Sequence, residues 1–287
     1  MRMITLYLIF LQNFSVMFIC VLIFQIISIS QASSTFNEEL TLSQLEYSAL
    51  AKFKEIMLPK IKVDYMKDDI YLIKWLRSQK LDIDRARNRL SNHLSWREST
   101  NFDRLTDSDF QEFVGDYPYE ITGVNKDGRP LLQFYSGIWD LRKAALAGKM
   151  DKLLLYASKM LEKAWLRVRD FQMEGKNVTR FAVIIDLDKV NVRQNLNIAS
   201  TPFYAGIVLA YELQFPKQAE EVIIVNCPSF MEVPLNLAKS VMDAETKRNL
   251  KVYGTNKEIW APILHETIDP SQLTAPFGGT LPSEYGF

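Results

Sequence analysis

Two apolar runs stand out along the chain, and the remaining pattern arranges itself around them. The first reads Arg180-Phe181-Ala182-Val183-Ile184-Ile185-Asp186-Leu187-Asp188, the second Glu221-Val222-Ile223-Ile224-Val225-Asn226-Cys227-Pro228. Both are short, rich in β-branched residues and apolar at successive positions, which predicts strands covered on both faces of a parallel sheet. Parallel neighbours need a crossover, and residues 195–214 carry enough apolar positions for a helix there. Upstream, Leu42, Leu45, Ala49, Phe53 and Ile56 recur at helical spacing and stop by Pro59. Asp68 or Asp69 caps a second helix with Ile70, Ile73 and Leu76 on one face. Asp82 or Asp84 caps a third, with Ile83, Ala86, Leu90 and Leu94 inward and Arg85, Arg87 and Arg89 outward.

Asp107 and Asp109 open a short helix leading to Gly115. Asn125-Lys126-Asp127-Gly128-Arg129-Pro130 is a turn of hairpin type that feeds a strand at Leu131–Tyr135. The longest helix is expected from Lys149 to Phe171, its stripe running through Leu153, Leu154, Ala157, Met160, Leu161, Ala164 and Val168. Beyond the second core strand, Pro234 begins a helix carrying Leu235, Leu237, Ala238, Val241 and Met242. A strand at Leu250–Gly254 and a short helix around Glu258 to Leu264 complete the pattern.

Ahead of all this, residues 3–29 are almost wholly apolar, long enough to cross a bilayer as a helix. Ser30 and Ala32 also fit a small-x-small cleavage pattern. A cleaved signal peptide, an anchor and a misassigned start all remain open for 1–32. Positive-inside reasoning puts the rest of the chain outside the cytosol if the leader is real, and Asn177-Val178-Thr179 is then a glycosylation sequon.

Composition narrows the function. Of 287 residues 48% are hydrophobic, enough for one large domain or two small ones. Lys plus Arg and Asp plus Glu each number 34, a balance that argues against a nucleic-acid binder while leaving room for a local basic patch at a membrane surface. The two cysteines, Cys20 and Cys227, are read as free thiols. No serine elbow, phosphate loop, dinucleotide fingerprint or metal-spaced histidine pair occurs. His93 and His265 are read as structural or surface histidines, and Asp186 and Asp188 lack a partner base. The expectation is a non-enzyme.

Several segments together resemble the CRAL-TRIO lipid-binding family: Asp68 through Ile83 followed by Trp96-Arg97; Asp127-Gly128-Arg129-Pro130 before a strand; Ile184-Ile185-Asp186-Leu187; Phe215-Pro216 ahead of Ile223 through Pro228; and the closing Phe277-Gly278-Gly279-Thr280. The similarity runs in order over about residues 42–281. It implies an α/β fold: a helical N-terminal module at 41–100, then a lipid-binding domain at 110–281 whose mostly parallel sheet floors an apolar cavity. By the same resemblance Phe181, Val183, Ile185, Ile223 and Val225 contribute to the floor. Phe230, Met231, Leu235, Leu237, Val241 and Met242 lie on a gate for lipid exchange, and Thr246 and Lys247 lie near the headgroup. Such a cavity lets a lipid cross water with its chains covered, each buried methylene contributing about 0.8 kcal/mol.

Members that carry phosphatidylinositol have Tyr-Pro-Glu where this chain reads Phe215-Pro216-Lys217, and a lysine where it has Asn249. The acid and the base are both missing, which counts against that ligand. The expectation is therefore binding and intermembrane transfer or presentation of a hydrophobic lipid, with no other cofactor. The partners expected are that lipid and a membrane surface, and the protein is expected to be a monomer. A membrane-tethered, lipid-sensing scaffold without transfer activity is the alternative. The family resemblance implies a cytoplasmic or peripheral-membrane location, the leader a secretory or anchored one.

Overall fold

Residues 41–196 and 198–287 are described by the structure, a computed structural model. The apolar segment at 3–29, and with it the reading of 1–32, lies outside the described residues. Contacts group Met1–Ser48 and Ala49–Phe287 as two units.

In the described part of the first unit, Ser43 Oγ accepts from the Glu46 N–H at 3.2 Å, and the Ser43 N–H donates to the Glu46 carboxylate at 2.9 Å. This reciprocal pair satisfies donors that a helix start leaves open. It begins α1 (Gln44–Met57), which buries Leu50, Phe53 and Met57. Leu45 and Ile56, expected inward, are exposed: the stripe is phased one residue later, so Met57 turns in and Ile56 out.

Helix α2 (Asp69–Ser78) buries every residue from Tyr71 to Leu76, including Lys74. The Lys74 ammonium donates to the Thr179 carbonyl at 2.5 Å and the Lys217 carbonyl at 3.0 Å, and sits 4.7 Å above the Trp165 ring. A buried charge is tolerable only with such partners. Helix α3 (Ile83–Ser99) starts at Asp82, whose carboxylate accepts from the Arg85 N–H at 3.0 Å. After a short α4 (Gln111–Val114) come β1 (Tyr119–Val124) and β2 (Pro130–Phe134), an antiparallel hairpin whose turn places Gly128 at φ +77°. That left-handed backbone is open to glycine without the penalty a Cβ brings.

Helices α5 (Leu141–Leu146) and α6 (Met150–Met173) lead to β3 (Phe181–Asp186). The crossover to β4 (Ala219–Val225) holds α7 (Val192–Asn195) and α8 (Pro202–Gln214). Then follow α9 (Glu232–Val241), α10 (Ala244–Asn249), β5 (Leu250–Val252) and α11 (Lys257–Thr267). The sheet order is β1-β2-β3-β4-β5, with β1 antiparallel and the rest parallel. The two apolar runs are thus adjacent central strands. One sheet face, through Leu131, Ala182, Ile184, Ile223 and Val225, packs on Trp260 and Leu264 of α11 and on Phe277. The other face is turned to α6, α8 and α9.

The helical segment and the sheet domain share a buried polar joint. Arg97 on α3 donates to Glu162 on α6 at 2.5 Å and to Asp103 at 2.8 Å through Nε; Tyr65 and Lys159 each donate to Glu162 at 2.9 Å. Burial alone would raise the Glu162 carboxyl, but Arg97 and Lys159 hold it below its ordinary range.

Candidate functional site

Between the second sheet face and the crossover helices lies a cavity of about 150 Å³ with an apolar wall. Its floor is built by alternate residues of three strands: Leu132 and Phe134, Val183 and Ile185, Val222 and Ile224. The register explains the set, since Leu132 pairs with Val183 and Val183 with Val222, and residues two apart share a face. Met160 and Leu161 of α6 close one side. Phe203, Tyr204, Ile207, Val208 and Tyr211 of α8, at helical spacing, close another. Met231, Pro234, Leu235, Ala238 and Met242, on and beside α9, form the lid. Among the described residues, four hydroxyls, of Ser136, Tyr204, Tyr211 and Thr246, are the only polar side-chain groups in the wall, and no charged side chain is among them.

The structure divides the expected site residues. Val183 and Ile185 line the cavity, as do Met231, Leu235, Met242 and Thr246. Ile223 and Val225 do not: they point into the opposite cluster around Trp260. Because β4 is buried on both faces, its hydrophobicity carries no sign of which face meets the cavity; the in-register pairing with β3 assigns Val222 and Ile224. Phe181 shares the face of Val183 but is fully buried short of the wall. Phe230 and Leu237 are 38% and 39% exposed, Val241 stays out of the wall, and Lys247 is exposed. The α6 and α8 wall was not assigned beforehand, although Tyr204, Ile207, Val208 and Tyr211 follow the i, i+3, i+4, i+7 pattern that exposes such a face.

Helix α9 is held differently from its neighbours. Among the described residues none of its side chains makes a hydrogen bond or ion pair to another element. Ser240 donates only to Leu237 within the same helix, at 2.7 Å. Its inner face packs through Pro234, Leu235 and Ala238. Just beyond it, the Asp243 N–H donates to the Glu212 carboxylate at 3.1 Å.

At the Thr246 end the cavity borders a second space of about 20 Å³ with polar walls, and Tyr211, Ala219, Val222 and Thr246 face both. Lys217 and Asn249, the two positions singled out by the family resemblance, both stand here. At the far end of the sheet, Asp186 has a structural setting: its Oδ1 accepts from Asn226 Nδ2 at 2.8 Å and the Asp188 N–H at 2.9 Å. Among the described residues no group of three or more His, Cys, Asp or Glu could hold a metal, and no helix is long and apolar enough to cross a membrane.

Helix α8 is also tied to α3. Tyr71 Oη lies 3.3 Å from His93 Nε2, and His93 Nδ1 lies 2.8 Å from Gln214 Oε1. Burial, and then the charge of Arg97, push His93 down to about 3, so it is neutral and donates through Nδ1. The unfolded histidine titrates near 6.5. Between those values the unfolded chain binds the extra proton. The histidine's contribution to stability is therefore complete above pH 6.5 and is lost as pH falls towards 3. Melts at pH 7.5 and pH 5 are expected to differ by about 2 kcal/mol from this group alone. His93→Gln is expected to flatten that difference; an unchanged difference would show that His93 is not its source.

The family model described as CRAL/TRIO domain matches residues 116–279. Two Arabidopsis thaliana proteins named phosphatidylinositol/phosphatidylcholine transfer proteins, SFH7 and SFH12, are 25% and 24% identical over 241 and 242 residues, 82% of this chain in each case. The chain spans 43% and 44% of their lengths, less than half. The crystal structure of Sfh5 superposes with a TM-score of 0.61 at 16% identity, covering 86% of this chain and 96% of that one. That likeness carries the fold: a helical N-terminal part followed by a mostly parallel five-stranded sheet.

Proposed function

Because the chain belongs to the CRAL/TRIO domain family, we propose that it binds a hydrophobic lipid beneath α9 and transfers or presents it between membranes, without catalysis. The observation that carries this reading is the apolar cavity itself, whose wall holds no charge and four hydroxyls. The names of the two plant relatives, both phospholipid transfer proteins, point the same way. We assign the lipid domain to residues 110–281, with 41–100 as its helical module.

Ligand pockets commonly enclose about 300–1,000 Å³, so a cavity of about 150 Å³ has to widen before it admits a lipid. Helix α9 is the wall with the fewest polar ties, and we assign it as the gate. Its outer side supports a membrane contact: Phe230, Val233 and Leu237, at spacings of three and four, are 38%, 73% and 39% exposed. A helix face of this kind lowers its free energy by entering an acyl boundary.

The test is to incubate the purified chain with phospholipid vesicles, re-isolate it, and identify bound lipid by native mass spectrometry and extraction. One lipid per chain is expected. A folded chain that binds vesicles yet stays empty would overturn the carrier reading in favour of a tethered scaffold.

A further inference from the structure

The small polar space at the Thr246 end of the cavity has an unusual electrical state. Among the described residues Lys217 is the one cation in its wall, facing the carboxylates of Glu221, Asp243 and Glu245. Each cation near it is already engaged. The Lys217 ammonium is hydrogen-bonded to Glu245, which also accepts from Arg180 at 2.8 Å, and Lys251 pairs with Glu221 at 2.9 Å. Asp243 has no cation partner among the described residues; its Oδ1 accepts the Thr246 N–H at 2.7 Å. Burial works to raise the Glu245 carboxyl, but the hydrogen bonds and charges of Lys217 and Arg180 bring it to about 2. The Glu245 carboxylate therefore stays ionised at neutral pH.

Size adds a second constraint. About 20 Å³ holds little more than one water, which needs roughly 10–15 Å³. A phosphate ester or an inositol ring exceeds that, and a buried phosphate without a free cation bears an uncompensated desolvation cost. A single hydroxyl or carbonyl fits both limits. Tyr211 stands at the border of the two spaces; its hydroxyl accepts from the Ala219 N–H at 3.0 Å and has no acceptor for its own proton among the described residues. The Asn249 amide and the Asp243 carboxylate supply a further donor and acceptor in the same wall.

We propose that the cavity selects an uncharged lipid ending in one small hydrogen-bonding group, and that Glu245 excludes anionic headgroups by occupying Lys217 and Arg180. This rests on the lipid-binding reading above and adds the class of ligand. It also separates this chain from what the names of its plant relatives describe.

The experiment offers the full chain vesicles of phosphatidylcholine doped with equal fractions of phosphatidylinositol and oleyl alcohol, then counts captured species by native mass spectrometry. The wild type is expected to take oleyl alcohol at least about tenfold over either phospholipid, relative to their vesicle fractions, the factor set by one hydrogen bond to a charged group. Glu245→Gln releases Lys217, leaves Arg180 with Glu220 at 3.6 Å, and is expected to raise phosphatidylinositol capture about tenfold by the same measure. Lys217→Gln, which leaves Arg180 on Glu245, is expected to give no such rise. Preferential capture of phosphatidylinositol by the wild type overturns the selectivity, and an unchanged ratio in a folded Glu245→Gln overturns the role of Glu245. Both results leave lipid binding intact, whereas capture of no lipid at all overturns both readings.

Discussion

Val183→Trp is expected to leave the protein folded and to remove at least nine-tenths of its lipid capture. Val183 sits at the middle of β3, 6% exposed, with its side chain in the cavity floor beneath α8 and α9. An indole there enters existing free space, so the strain is expected at the low end of the 1–3 kcal/mol typical of overpacking, while the volume left for a ligand shrinks sharply. Capture from vesicles, measured beside the melting temperature, separates the two effects. Ile223→Val is the matched control: one residue over on the adjacent strand, it faces the Trp260 cluster. It is expected to cost about 0.5–1.5 kcal/mol of stability with lipid capture unchanged. If Val183→Trp still loads one lipid per chain, the cavity described here is not the ligand site.

The largest stability effect is expected at the buried joint between α3 and α6. Glu162→Ala removes the carboxylate that receives Arg97, Tyr65 and Lys159, and leaves Arg97, its side chain 5% exposed, with Asp103 as its remaining acid. Removing one partner of a buried ion pair costs about 3–5 kcal/mol, which for a chain of this size lowers the melting temperature by roughly 6–20 °C. Thermal unfolding at pH 7 measures it directly. A loss under about 1 kcal/mol would mean that the joint is open to water and that Arg97 finds other company.

How much of this was readable beforehand follows physical lines. The central strands, the long α6 stripe and the Asp-Gly hairpin turn were legible because each rests on local periodicity or turn chemistry. Strand β1 was not: Tyr119–Val124 is mostly half-buried and includes Gly123, so it lacks the continuous apolar run that marked β3 and β4. Helix α10 was missed for the opposite reason. Ala-Glu-Thr-Lys-Arg-Asn buries nothing, and its one signal is the Asp243 cap. The family resemblance brought Thr246, Lys217 and Asn249 to notice but not Glu245, because the partner of Lys217 lies 28 residues away. Pairing at that distance is a property of the fold, invisible to any window on the chain. The face assignment of β4 failed likewise, since a strand apolar on both sides does not say which side is hollow.

The small volume of the cavity bears on timing as well as on capacity. On the proposed reading, a chamber of about 150 Å³ under a helix held by apolar packing receives cargo only when that helix moves, so the open form is the one that loads. If the open form makes up about one molecule in a hundred, the apparent dissociation constant is about a hundredfold weaker than the filled cavity's intrinsic grip. A bilayer that took up the outer face of α9, as proposed, would raise that open fraction at the place where lipid is available. On the same reading a chain that leaves the bilayer closes over what it holds, so the membrane would act as the key and the journey between membranes would need no separate lock.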